Sequence, residues 1–391
     1  MQIRLLPDIC RMKKLFQYAV LALLAASCTM EPVEIEYEAL VPLTLNAEFG
    51  EPGSKTIVSG VEVLWNDNDK IAVFDGTAVR EFTLISGSGT KSALFYGEIS
   101  SSASDLSAIY PYSAAVLEDG QFSVHIPTIQ RIIDYSADPD ALVMTALAAK
   151  GDPLYFRNEA CLLRFNVPSG VEELAVVPDG SETFRATLPG IAGEYEIAVA
   201  PGQYDGLLVL CKSGGKWYKR SSGNTLSAGR NLIVNIGQML LQEEAFVIST
   251  PADFSDFVNS AEDVENAYLI NDIELDAYSS AQNFAGTFSG LGHTVSGISQ
   301  GKPVFLQNSG NVSRLSLRGT VNTTALEFAP LALRNYGSIE DVCSFVDVVV
   351  SAGNDVSAAI VLGGIAAYNY GTVHRCSNSG AVKFIGAHRP K

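Results

Sequence analysis

Three segments of this chain share one form, Asn–x–Gly–x–(Val/Ile)–x–x–(Leu/Val/Cys). They are NSGNVSRLSL from Asn308, NYGSIEDVCS from Asn335 and NYGTVHRCSN from Asn369, spaced 27 and 34 residues apart. A unit this short cannot bury an apolar face alone, so it must stack on copies of itself and build a continuous core. The pattern predicts parallel coils with the asparagines stacked as an amide ladder. Gly310, Gly337 and Gly371 are expected to give the turn its backbone freedom. Val312, Ile339 and Val373, with Leu315, Val342 and Cys376, are expected to point inward. Two stretches before the repeats, YLINDIEL (268–275) and FAGTFSGLGHTVSGI (284–298), read as an opening coil, and the longer second spacing places a bulge within 351–364. Tyr336 and Tyr370 hold the same repeat position and would meet on one face, either as a structural ladder or as a platform for sugar rings.

The preceding segment, FVISTPADFSDFVNSAEDVENA (246–267), predicts a short helix. Thr250 can cap it, Pro251 suits its first position, and Asp253 and Asp256 favour its start. Phe254, Phe257 and Val258 lie at helical spacing and could cover the open end of the stack. The repeat resembles the GLUG-type β-solenoid modules of bacterial surface proteins, and the resemblance implies a short right-handed β-solenoid over 268–391. No polar capping coil is legible after GAVKFIGA (380–387). Either the chain is shortened there or its edge pairs with a partner.

Ahead of the helix, residues 39–236 are short apolar or alternating runs broken by turn signals. Examples are LVPLTLNAEF (40–49), KIAVFDG (70–76), SALFYGEI (92–99), CLLRFNVP (161–168), ELAVVPD (173–179) and NLIVNIG (231–237). Only YSADPDALVMTALAAKGD (135–152) reads as partly helical. Regularly spaced short strands imply β-sandwiches, divided near Asp152–Arg157. Five segments in order, WNDNDKIAVF (65–74), YPY (110–112), IPTIQ (126–130), LLRFNV (162–167) and AGRNLIVNI (228–236), resemble the fimbrillin-like proteins of Bacteroides and relatives. That resemblance implies two transthyretin-like sandwiches, here 39–155 and 156–240, lipoprotein export, and a role in fimbriae or adhesion. Polymerising members are cut near the first strand, commonly after arginine. Here no Lys or Arg stands between Cys28 and Lys55, and the first Arg after Cys28 is Arg80. The chain is therefore expected to stay tethered, as a stand-alone adhesin or accessory subunit.

The N-terminus supplies the tether. Residues 12–28 read MKKLFQYAVLALLAASC: two lysines, an apolar stretch too short to span a membrane, then small residues and a cysteine. Met12 fits as the start of that pattern. LAASC resembles the lipobox of bacterial lipoproteins, which implies a signal peptide over 1–27 and lipid on Cys28. Several acyl chains on one residue suffice for stable anchoring. The following segment, 28–38, carries Glu31, Glu34, Glu36 and Glu38 and reads as an acidic tether. Acidic residues soon after a lipidated cysteine are associated with display on the surface of Bacteroides-type cells. Residues 241–267 are then a linker with its helix.

Charge bears on the partner. The formal net charge is −17, and loss of residues 1–27 removes four bases and one acid, giving −20. Nucleic acid, which needs clustered Lys and Arg, is excluded as a partner. Residues 268–391 hold eight acids and eight bases, so the excess negative charge lies ahead of the repeats. Cys161, Cys211, Cys343 and Cys376 are too few for a disulfide framework and read as free buried thiols.

Catalytic signals are missing from the sequence. His125, His293, His374 and His388 have no partner at metal-ligand spacing, and there is no nucleophile elbow or phosphate loop. Some long β-solenoids cleave polysaccharides, but about four short coils offer little cleft, and Asp341 and Asp347 read as outward residues. NDND (66–69) with Asp75–Gly76 has the composition of a calcium loop and equally that of a polar hairpin turn. The expected function is binding, with no enzyme activity and no cofactor: an outer-membrane, lipid-anchored adhesin or fimbria-associated protein facing the cell surface. Fimbrial subunits or a host or bacterial surface ligand would be its partners. The alternative is a surface glycan-binding lipoprotein of a nutrient-uptake system.

Overall fold

The computed structural model describes residues 39–50, 57–58, 61–62, 64–119, 121–132, 137–239, 241, 243–351 and 359–386. Cys28, with the proposed signal and tether, lies outside the described residues. Within them the chain is nearly all β, with one α-helix, Pro251–Ser260.

The first strand, Leu40–Phe49, turns Leu45, Ala47 and Phe49 inward. It pairs antiparallel with Ser92–Ser100 on one side and parallel with Leu154–Asn158 on the other. Pairing on both sides closes a ring that also includes Met144–Ala149, Asp105–Tyr110, Lys70–Phe74 and Val79–Ser86. A sandwich is expected from the sequence, whereas the hydrogen bonds form a closed seven-stranded barrel. Alternation tells which face of a strand is buried, but not how many partners the strand has. Closure leaves no unpaired edge.

Trp65 fills the barrel. It is fully buried, stacks on Phe49 at 3.8 Å between ring centroids, and donates its indole N–H to the Lys91 carbonyl at 3.1 Å. The helical reading of 135–152 is overturned. A 3₁₀ turn, Pro139–Ala141, is followed by the strand Met144–Ala149. Met144 and Ala146 face inward at strand spacing, and pairing to Asp105–Tyr110 and Leu154–Asn158 outweighs the helix preference of the alanines.

Beyond Ala160 two further sheets share one apolar cluster. Cys161–Val167 lies between Gly193–Val199 and Ile233–Gln238. Opposite it, Val171–Pro178 lies between Phe184–Thr187 and Leu207–Ser213. Leu163, Phe165, Tyr195, Leu174, Val176 and Phe184 form the interior between them. An earlier strand, Ile129–Arg131, joins the second sheet beside Phe184–Thr187. Of the four cysteines among the described residues, Cys161 and Cys211 are buried free thiols, whereas Cys343 and Cys376 are only half-buried.

The second sheet does not stop at this unit. Glu243–Ile248 pairs antiparallel with Lys216–Ser222 through Trp217↔Ala245, and parallel with Asn266–Leu269 through Phe246↔Ala267. From there every neighbour is parallel. Phe288 pairs with Val312, Val312 with Ile339, and Ile339 with Val373. In a second parallel sheet Phe284 pairs with Asn308, Asn308 with Asn335, and Asn335 with Asn369. The repeat spacings therefore correspond to successive layers in register. Val312 and Ile339 are buried as expected, but Val373 is 41% exposed because it lies in the outermost described layer.

Two local devices hold the layers together. Asn308 and Asn335 have no exposed surface, and each donates its side-chain amide to the next asparagine at 2.7 Å. The repeat glycines serve a purpose other than the one read from sequence. A Cβ on Gly310, Gly337 or Gly371 would lie within 2.0 Å of a carbonyl oxygen in the layer beneath, and none of the three has a left-handed φ. Close approach of the layers is what demands glycine there. The left-handed corners instead fall on Leu291, Arg314, Asp341 and Arg375, with φ of 50–53°.

The helix Pro251–Ser260 covers the first layer. Thr250 and Asp253 form a reciprocal capping box. Phe257 meets the rings of Phe246, Phe284, Phe288 and Phe305 at centroid distances of 5.3–6.3 Å.

Candidate functional site

The asparagine ladder fixes what lies on either side of it. Asn335 points inward and bonds to Asn369 in the outermost described layer, so the residues flanking them, Arg334, Tyr336, Tyr368 and Tyr370, lie on the outer face. Tyr336 and Tyr370 are 50% and 64% exposed, and their rings stack at 4.9 Å with planes 16° apart. Tyr368 lies beside Tyr370, centroids 6.4 Å apart and planes 1° apart. The Arg334 guanidinium sits 5.5 Å from the Tyr368 ring centre, in direct register one layer away. Each outermost ring thus rests on a planar group of the layer before it.

Polar groups rim this surface. The Tyr368 hydroxyl donates to Glu327 Oε1 at 2.8 Å, and Arg334 reaches Glu327 Oε2 at 3.6 Å. The hydrogen bond to the Glu327 carboxylate pushes the Tyr368 phenol above its ordinary range, so it stays a donor. Two nearly parallel aromatic rings edged by a carboxylate and a guanidinium can hold a flat, amphipathic ligand ring: apolar contact below, directed hydrogen bonds at the edge.

Sequence reading found Tyr336 and Tyr370 by their shared repeat position and missed Tyr368, Arg334 and Glu327. The signal for Tyr368 was present. Two residues before Tyr370 in a strand is the same face. Glu327 lies on a short strand of another layer and carried no sequence signal.

The remaining sequence candidates are accounted for locally. Asp69 accepts hydrogen bonds from the Asn66 backbone N–H at 2.7 Å and the Tyr110 hydroxyl at 3.2 Å. Asp75 accepts from the Thr77, Ala78 and Ser100 backbone N–H groups, the Thr77 hydroxyl and Arg80. These carboxylates are occupied by the chain itself, as a polar hairpin requires, and the calcium-loop reading is dropped. Burial alone would raise the Asp75 pKa, but these hydrogen bonds outweigh it and hold the carboxyl well below the usual range. His293 bridges Asp272 at 3.1 Å and Thr183 at 3.2 Å, with burial lowering its pKa. His374 lies 3.3 Å from Glu340. Asp341 holds Arg375 in a two-point ion pair, and Asp347 accepts the Ala381 N–H. His388 lies outside the described residues. Among the described residues no group of three His, Cys, Asp or Glu side chains could hold a metal ion.

No family model and no curated protein matches the sequence. Solved structures share parts of its shape. A candidate cell adhesion protein from Bacteroides ovatus is 13% identical, with 51% of this chain and 92% of that one covered, at a TM-score of 0.33. A second, from Bacteroides uniformis, is 15% identical over 50% of this chain and 92% of that one, at 0.30. A fimbrial protein from Bacteroides ovatus is 15% identical over 51% of this chain and 50% of its own, at 0.28. Likeness at this level carries no function across.

Proposed function

We propose that this chain is a lipid-anchored surface adhesin or fimbria-associated accessory protein that binds and does not catalyse. One observation carries the reading. The parallel stack, with its exposed Tyr336–Tyr370 pair, is joined by one hydrogen-bonded sheet to the unit that precedes it. Such a joint presents a binding face rigidly on the unit that carries it. The export pattern at 12–28, lipid on Cys28 and the acidic segment 28–38 would supply the anchor and its tether. In this reading 39–155 and 156–240 are fimbrillin-like units, 241–267 is a capped linker, and 268–391 is a right-handed β-solenoid of GLUG type. The reading is tested by deleting the gene and measuring attachment to host or bacterial surfaces, with electron microscopy for fimbriae. Unchanged attachment and unchanged fimbriae would defeat it.

The nearly parallel Tyr368–Tyr370 pair favours a second reading, a glycan-binding lipoprotein of a nutrient-uptake system. Here Tyr336→Ala and Tyr370→Ala each abolish binding on a glycan array. Binding that survives both substitutions refutes this reading.

A further inference from the structure

A second candidate site lies where the parallel stack meets the unit before it. A trough of about 580 Å³ runs between them, with Asp179, Gln203 and Asp205 on one side and Arg314, Ser316 and Asp341 on the other. A neighbouring hollow of about 350 Å³ shares Asp179, Asp205 and Arg314 and continues toward Ser221 and Ser289. Neither unit forms this trough alone. Tyr336, Tyr368 and Tyr370 line neither part of it.

The trough is held open by a rigid joint. Ala175, Val177 and Leu210 pack against Tyr268, Ile270 and Leu291 in one buried cluster. Arg314 binds Asp179 at 3.1 Å, Arg185 binds Asn271 at 2.7 Å, and His293 reaches Thr183 at 3.2 Å. A site fixed before its ligand arrives spares the ordering cost of binding.

The wall chemistry narrows the ligand. Asp341 is committed to Arg375. Arg314 contacts only Oδ1 of Asp179, which leaves the other oxygen free to accept. Asp205 is exposed, and no described side chain hydrogen-bonds to it. Two open acceptors therefore stand beside a guanidinium and the Ser316 hydroxyl, both donors. An anion would be repelled by the carboxylates, and a cation would leave the Arg314 donors without an acceptor beyond Asp179. An uncharged group that both donates and accepts at adjacent atoms satisfies both walls, and vicinal hydroxyls do this. We infer that the trough binds neutral carbohydrate through vicinal hydroxyls, with Asp179 and Asp205 as acceptors and Arg314 and Ser316 as donors. The inference is independent of surface display and of the tyrosine platform.

Calorimetric titration of the purified full chain tests it. The probes are maltohexaose, cellohexaose, mannohexaose and xylohexaose, with inorganic phosphate and 1,6-diaminohexane as charged controls. At least one hexasaccharide binds at millimolar concentration or below. Asp205→Ala and Ser316→Ala each weaken it about tenfold or more, while Leu147→Ala, at an exposed position on the barrel outside both candidate sites, leaves it unchanged. The assignment is overturned if no hexasaccharide binds, if only phosphate or the diamine binds, or if both trough variants retain full binding.

Discussion

Replacing Asn335 by alanine removes the middle rung of the amide ladder. Its amide donates to Asn369 Oδ1 at 2.7 Å and lies 3.3 and 3.2 Å from the Gly337 and Thr372 carbonyls, and its own oxygen accepts from Asn308 at 2.7 Å. Each such bond contributes about 1 kcal/mol net, and a buried polar group left unpaired costs about 1–3 kcal/mol. The stack should therefore lose about 3–4 kcal/mol. Asn369 is exposed, and its ladder contact is the one bond from Asn335. Asn369→Ala should cost only about 1 kcal/mol. The gap of about 2 kcal/mol corresponds to about a thirtyfold difference in amide protection. Hydrogen exchange with mass spectrometry over 308–351 reads it directly, with the barrel peptides around Trp65 as an unchanged control. Equal effects at the two positions, or a loss at Asn335 below about 1 kcal/mol, would refute the ladder as the element that binds the layers.

Gly337→Ala places a Cβ 1.9 Å from the Gly310 carbonyl oxygen. It should cost about 3 kcal/mol or more in urea unfolding, and Gly371→Ala less, because no described layer lies beyond it to resist a shift. Phe257→Ala empties the ring cluster beneath the helix and should cost about 3–5 kcal/mol by the same measurement, with exchange rising first in the opening coil. Asp75 has a lowered carboxyl pKa in the folded barrel. Its contribution is therefore complete above the ordinary value of 3.8 and is lost as pH falls below it. Asp75→Asn should destabilise the barrel by about 3 kcal/mol at neutral pH and flatten its acid unfolding profile, followed by Trp65 fluorescence. A parallel acid profile in the variant would contradict that assignment.

What the sequence made legible follows from which forces act locally. The repeat predicted the asparagine ladder because identical residues at a fixed spacing can satisfy one another only by stacking. The helix at Pro251–Ser260 was legible because Thr250, Pro251 and Asp253 act within a single turn. The barrel was not, since its closure depends on Leu40–Phe49 meeting Leu154–Asn158 across more than a hundred residues. The strand Met144–Ala149 was hidden by its alanines, which favour helix until two neighbouring strands pair with them. At the candidate site, shared repeat position revealed Tyr336 and Tyr370. Glu327 became visible only when its own layer was stacked against Tyr368. The role of the repeat glycines was misread, and the left-handed corners at Arg314, Asp341 and Arg375 carried no sequence signal, because φ is set by how the layers meet.

Lys302 and Lys383 are exposed side chains on the stack. Treating living, intact cells with a membrane-impermeant amine-labelling reagent, then mapping modified lysines by mass spectrometry, asks directly whether the stack faces outward. If the stack faces outward, both lysines are labelled in intact cells to the extent seen in the purified protein. Modification that appears only after the cells are broken open would contradict it.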